Sequence, residues 1–202
     1  MKKTMSILTA VLLFALLSAC AVADVNPGSS APGFTLTDTR GATHSLSDFA
    51  GHVVVLEWIN TDCPFVKKHY GPGNMQSLQE SYGAKGVVWL SICSSTPGKQ
   101  GHFTPEEWNQ ILEANGSNAK AVLLDTDGQV GLAYGAKTTP HLFVIAPDGT
   151  LVYNGAIDDK PSTRSEDIEG ARSYISEALD AVLAGEPVPV ARTTPYGCSV
   201  KY

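Results

Sequence analysis

Several patterns are missing from this chain, and each absence removes a class of function. There is no basic excess: 14 Lys and Arg stand scattered against 20 Asp and Glu, so the electrostatic footprint of a nucleic-acid binder is absent. No glycine-rich loop that could cradle phosphates precedes a helix. No long apolar run follows the first two dozen residues, which leaves no candidate membrane span in the rest of the chain. No internal repeat is visible. Cysteine is scarce, with four in 202 residues, and none belongs to a Cys-x-x-Cys pair: three positions after Cys63 stands Val66. The common dithiol centre is therefore excluded, and Cys63 needs another explanation.

What is present begins with an export signal. Residues 1–23, "MKKTMSILTAVLLFALLSACAVA", carry two lysines, an apolar run and then small residues, the pattern of a secretory signal peptide. Two cleavage readings are open. "AVA" before Asp24 fits a small-x-small cut, while "LSAC" resembles a bacterial lipobox in which Cys20 becomes a lipidated first residue. Both place the domain outside the cytoplasm, where disulfides persist. It is expected to be periplasmic, or a bacterial lipoprotein that meets the membrane only through Cys20. Three cysteines then remain, Cys63, Cys93 and Cys198. An odd number in an exported chain implies a reactive thiol or an intermolecular bond.

Residues 24–32, "DVNPGSSAP", read as a flexible linker. A short N-terminal hairpin is expected across Thr39–Gly41. "VVVLEWI" (Val53–Ile59), "GVVWLSIC" (Gly86–Cys93) and "AVLLD" (Ala121–Asp125) are nearly continuous apolar runs, as strands buried on both faces should be. Helical patterns lie between them. The helix from Pro64 should break at "GPGN", and another should start at Thr104, where Glu107 can complete a capping box. "HLFVIAPDGTLVYNGAI" reads as a late hairpin, and "SEDIEGARSYISEALDAVLAG" as one amphipathic helix capped by Ser165. The alternation predicts an α/β domain over residues 33–186, with a central mixed sheet and helices on both faces, and an irregular tail over 187–202.

The chemistry gathers at "DCPF". Cys63 should lie where a core strand gives way to a helix, and unpaired amides there favour a thiolate and lower its pKa. Lys67, at i+4, can add positive charge on the same face; Asp62 opposes it. Thr139–Pro140 precedes a strand. A cis bond there would set the Thr139 backbone against a reacting cysteine, ready to pair with an extended substrate chain.

These features, together with "APGFTLTDTRGATHSLSDFAGHVVVLEW", "VLLDTDGQVGLAYGAKTTPHLFVIAPDGTLVYNGAID" and "PYGCSVKY", make residues 30–202 resemble the redoxin branch of the thioredoxin superfamily, of the alkyl hydroperoxide reductase/thiol-specific antioxidant type. The resemblance implies a thioredoxin-like fold, a redox-active Cys63 and a cis Pro140. It also implies peroxidase-like thiol oxidoreductase activity on a hydroperoxide or a protein disulfide, with an external thiol as reductant and no cofactor. Where peroxidases of that family carry Pro and Thr ahead of the cysteine, this chain has Leu56 and Asn60, with Thr61 one place closer. A nucleophile without a neighbouring thiol needs a resolving partner. Cys198, in a tail expected to be mobile, is the better candidate; Cys93 at a strand end and an external thiol are the alternatives. His69 and His141 near Cys63 raise a metal site, but copper-delivery relatives carry Cys-x-x-x-Cys, and Lys67 fills the second place. The rival expectations are a thiol–disulfide reductase working through mixed disulfides, and a binding module of the same fold without turnover.

Overall fold

A computed structural model describes residues 25–202. The expected signal segment and Cys20 lie outside the described residues. Seven strands form one mixed sheet. Strands β1 (Thr35–Asp38) and β2 (Thr43–Ser45) form the N-terminal hairpin; β3 (Val54–Trp58), β4 (Val88–Cys93) and β5 (Ala121–Leu124) are the core. A two-residue strand, β6 (Thr138–Thr139), precedes the hairpin of β7 (His141–Ile145) and β8 (Leu151–Gly155). The spatial order is β2-β1-β5-β4-β3-β7-β8. β3, β4 and β5 run parallel, and the rest of the sheet pairs antiparallel. Alternate residues of β3 supply two separate cores. Val55 packs with residues of α1 (Pro64–Tyr70), α2 (Asn74–Gly83), α3 (Pro105–Asn115) and α5 (Tyr174–Leu183). Val54, Leu56 and Trp58 pack on the other face with Phe34, Phe49 and Tyr134 of α4 (Gln129–Tyr134).

On that second face Phe143 meets Trp58 (5.1 Å between ring centroids) and Tyr134 (5.4 Å) edge-on, and all three are fully buried. Phe143→Ala is expected to lower stability by about 3–5 kcal/mol through lost contacts and a residual cavity. Urea unfolding at unchanged m measures it.

Several local expectations hold for the reasons given. Thr104 caps α3 by accepting from the Glu107 amide, and the Glu107 carboxylate accepts from the Thr104 amide at 2.7 Å. The break between α1 and α2 falls at residues 71–73, with Gly73 left-handed. Three expectations are corrected.

First, the single helix from Ser165 is two pieces. A 3-10 turn spans Ser165–Ile168, and α5 starts only at Tyr174, capped by Ser173. Gly170 takes φ +75°, and the chain beside it is held extended by Arg172 N donating to Asp159 Oδ1, Asp159 N donating to the Arg172 carbonyl, and an antiparallel bridge between Asp158 and Ser173. Second, residues 25–32 are no free linker. Val25 is buried, its carbonyl accepts from Asn154 Nδ2 (3.0 Å), and the Gly28 and Ala31 amides donate to Leu151 and Gly149. Third, the tail is not loose. Thr193 N donates to the Asn154 carbonyl, and β9 (Cys198–Ser199) pairs antiparallel with β6.

Candidate active site around Cys63

The end of β3 is turned by Asn60. Its Oδ1 accepts from the Asp62 amide (2.9 Å), its Nδ2 donates to the Gln100 carbonyl (3.2 Å), and its own carbonyl accepts from Cys63 N (3.0 Å). Asn60 is thus committed to shaping the turn. Cys63 becomes the N-cap of α1, with φ −72° and ψ 125°, and Pro64 opens the helix. The Cys63 side chain is fully buried, and its Sγ donates to the Thr139 carbonyl at 3.0 Å. The Thr139–Pro140 bond is cis.

Thr139 is also where the tail arrives: β9 pairs Cys198 opposite Thr139 and Ser199 opposite Thr138. Cys63 and Cys198 therefore meet on the same backbone element. Burial opposes ionisation of Cys63, but the Cys198 thiol, the Cys198 and Val66 amides and the Thr139 side chain all favour its anion, and its pKa falls below the ordinary value. The Thr139 hydroxyl is buried with no other hydrogen-bond partner, so it is free to donate to a sulfur anion. Cys198 moves the other way. Burial and the Cys63 anion push it up to about 11. One sulfur is disposed to be a thiolate, while the second keeps its proton and donates to the first.

The other sequence candidates fall elsewhere. Lys67 is exposed, and the leading effects that lower the Cys63 pKa come from Cys198, Val66 and Thr139 instead. Thr61 is half-buried and lines a cavity of about 140 Å³ with Val66, Lys67 and Tyr70. Cys93 is turned toward the following loop: its Sγ donates to the Gly101 carbonyl (3.4 Å), and burial raises its pKa. His69 and His141 are tied to Asn74 and Asn154 respectively, at 2.9 and 2.7 Å.

Two features escaped the sequence reading. One is a buried polar cluster beside the tail: Lys68 and His69 of α1, Asp158 and Tyr196. The other is Glu57, fully buried in β3 six residues before Cys63. Trp89 Nε1 donates to it at 2.8 Å, and Tyr70 Oη donates at 3.0 and 3.1 Å, held in that role by Gln79. Burial outweighs these donors and raises the Glu57 pKa to about 7. A lone acid inside the run "VVVLEWI" was the available signal.

A central mixed sheet with a cis-proline strand beside a helix-capping cysteine defines the thioredoxin-like class. Residues 27–154 match the AhpC/TSA family, and the chain belongs to it. Thiol-disulfide oxidoreductase ResA of Bacillus subtilis (strain 168) is 31% identical over 128 residues, covering 63% of this chain and 66% of that protein. ResA of Geobacillus kaustophilus (strain HTA426) is 29% identical over 124 residues, covering 61% and 66%. The match thus spans just under two thirds of these relatives' length. Among solved structures, an uncharacterized conserved protein from Geobacillus kaustophilus superposes with a TM-score of 0.75 at 31% identity, over 87% of this chain and 92% of that one. A thiol:disulfide interchange protein from Bacteroides sp., at 22% identity and TM-score 0.52 over 73% and 90%, shares the fold alone.

Proposed function

We propose that this chain is an exported thiol–disulfide oxidoreductase in which Cys63 attacks a disulfide and Cys198 resolves the product. The observation that carries the reading is the meeting of the two sulfurs at Thr139, with opposite displacements of their pKa values. The similarity to proteins named thiol-disulfide oxidoreductase supports it. The leader-like residues 1–23, with Cys20 as a lipid attachment point, support export, and no helix among the described residues is long and apolar enough to cross a membrane.

The steps balance as follows. The Cys63 thiolate attacks one sulfur of R–S–S–R′, the S–S bond breaks, and R′S⁻ leaves. Cys198 gives its proton to a departing thiolate and attacks Cys63 sulfur, expelling RS⁻. Two electrons have passed to the substrate, and a Cys63–Cys198 disulfide remains for an external dithiol to reduce. Thr139 holds the Cys63 thiol through its carbonyl and, once the proton is lost, the thiolate through its hydroxyl.

Hydroperoxide is the second substrate class, favoured by the family match. There the thiolate attacks the terminal oxygen of HO–OR, the O–O bond breaks with RO⁻ leaving to take up a proton, and the Cys63 sulfenic acid condenses with the Cys198 thiol with loss of water. Stopped-flow oxidation of the reduced chain by a peptide disulfide and by hydrogen peroxide separates the two. The disulfide is expected to form the Cys63–Cys198 bond about tenfold faster or more at equal concentration. Faster peroxide oxidation reverses the order of preference. Rates no higher than free cysteine with both reagents remove the enzyme reading and leave the binding module.

A further inference from the structure

In the place where an incoming disulfide-bearing chain would pair with Thr139, the molecule has put its own tail. We propose that Tyr196 and Gly197 are positioning residues that seat the tail against Cys63 and make Cys198 its preferred reaction partner over an external polypeptide thiol. The inference rests on Cys63 being the nucleophile and extends that reading to what it selects.

Gly197 sets how closely the strand can come. Its φ is +146°, and a Cβ there would lie 2.1 Å from the Thr139 carbonyl oxygen and 2.7 Å from the carbonyl carbon. Those atoms are backbone and belong to the residue that holds Cys63. No side chain fits without lifting the strand away. A polypeptide with any residue other than glycine before its cysteine cannot take this register at this depth.

Tyr196 sets where the strand lies. Its hydroxyl donates to Asp158 Oδ1 and faces Lys68 Nζ and His69 Nε2, each at 3.3 Å. One donated and two accepted bonds use the full capacity of a phenol oxygen. Lys68 in turn contacts Asp158 at 3.1 and 3.4 Å and the Lys160 carbonyl at 2.7 Å, with a fully buried side chain. The Tyr196 ring lies 5.9 Å from Phe65 and 5.3 Å from Lys68 Nζ. Two buried charges therefore converge on a residue two positions before Cys198. Lys68, His69 and Phe65 all come from α1, the helix that Cys63 caps. The same short helix fixes both sulfurs.

The far side of Cys198 is fixed as well. Val200 N donates to the Lys137 carbonyl (3.1 Å), Thr96 N donates to the Lys201 carbonyl (3.0 Å), and Tyr202 Oη donates to the Ala136 carbonyl (2.8 Å). A thiol held this way reacts at an effective concentration that a diffusing thiol cannot match.

An aromatic disulfide, Ar–S–S–Ar, reads the two steps separately. In the reduced full chain Cys63 releases one ArS⁻ and becomes Cys63–S–S–Ar. Cys198 then loses its proton, forms the Cys63–Cys198 bond and expels the second ArS⁻. In Tyr196→Phe and Gly197→Ala the second step is expected to slow relative to the first by about tenfold or more. With a free cysteine peptide present, both variants should also shift product from the internal disulfide toward the mixed one. A second step unaltered in both variants, at unchanged partition, overturns the proposal. Absence of the first step in the wild-type chain overturns the nucleophile reading itself. Gly197→Ala leaves the buried charge cluster intact, so it keeps the test open if Tyr196→Phe fails to fold.

Discussion

Cys63→Ser is expected to remove the fast thiol reaction, by roughly 10³-fold or more, with the fold retained. The expectation follows from asymmetry between the sulfurs. Cys198 is the more accessible thiol, yet its pKa is pushed up to about 11, while Cys63 is the one whose anion is stabilised. Without Cys63, the thiols left among the described residues are Cys198, which loses the Cys63 anion's effect but is still held back from ionisation by burial, and Cys93, which burial raises. Cys198→Ser should behave differently. The first attack persists, and the reaction stops at a mixed disulfide on Cys63 that intact-mass measurement detects. A Cys63→Ser chain as reactive as wild type would transfer the nucleophile to another residue. A Cys198→Ser chain that turns over normally with an external dithiol would remove the tail from the reaction. The two variants test different halves of one mechanism.

Sequence carried much of this site because much of it is local. A Cys–Pro pair after a continuous β-branched run marks a strand end and a helix start within a few residues, and Asn60 to Pro64 build that corner largely from themselves. The capping box at Thr104 is legible for the same reason. What was not legible depends on distant partners. Spacing along α1 pointed to Lys67, but Lys68 is the lysine turned inward, because Asp158 and Tyr196, 90 and 128 positions away, supply its counter-charge and its hydroxyl. Residues 25–32 have a linker's composition, yet Asn154 captures Val25 across 129 positions. The tail's three prolines hid its docking, since β9 needs only two residues of pairing and a glycine. The long C-terminal helix failed through Gly170 and the extended pairing beside it, which periodicity in the flanking residues cannot reveal.

Glu57 and His69 are expected to produce opposite pH dependences of stability that conceal each other. Burial raises Glu57 from 4.5 to about 7. The native state therefore keeps a proton that the unfolded chain releases, and stability falls as pH rises through that interval. Burial lowers His69 from 6.5 to about 4, with Asp158 opposing and Lys68 assisting. Here the unfolded chain binds a proton that the native state refuses, so stability falls as pH drops through nearly the same interval. Each displacement is worth roughly 3 kcal/mol. Between about pH 4.5 and 6.5 the two slopes cancel, and the wild-type chain shows neither. Glu57→Gln should uncover the histidine: relative to wild type, which gains from Glu57 protonation, it loses roughly 3 kcal/mol as pH falls from 7 to 4.5. His69→Gln should uncover the glutamate, losing a similar amount relative to wild type as pH rises from 4 to 6.5. Urea unfolding at four pH values, read as variant minus wild type, cancels the carboxylates common to both chains. Parallel pH profiles for Glu57→Gln and wild type would mean that Glu57 titrates in the fold as it does unfolded, its Trp89 and Tyr70 donors offsetting burial. Opposed slopes would establish that the protein keeps a protonated acid in β3 and a neutral imidazole in α1 on either side of its reactive cysteine in the chain, each uncharged at a pH where free solution would charge it.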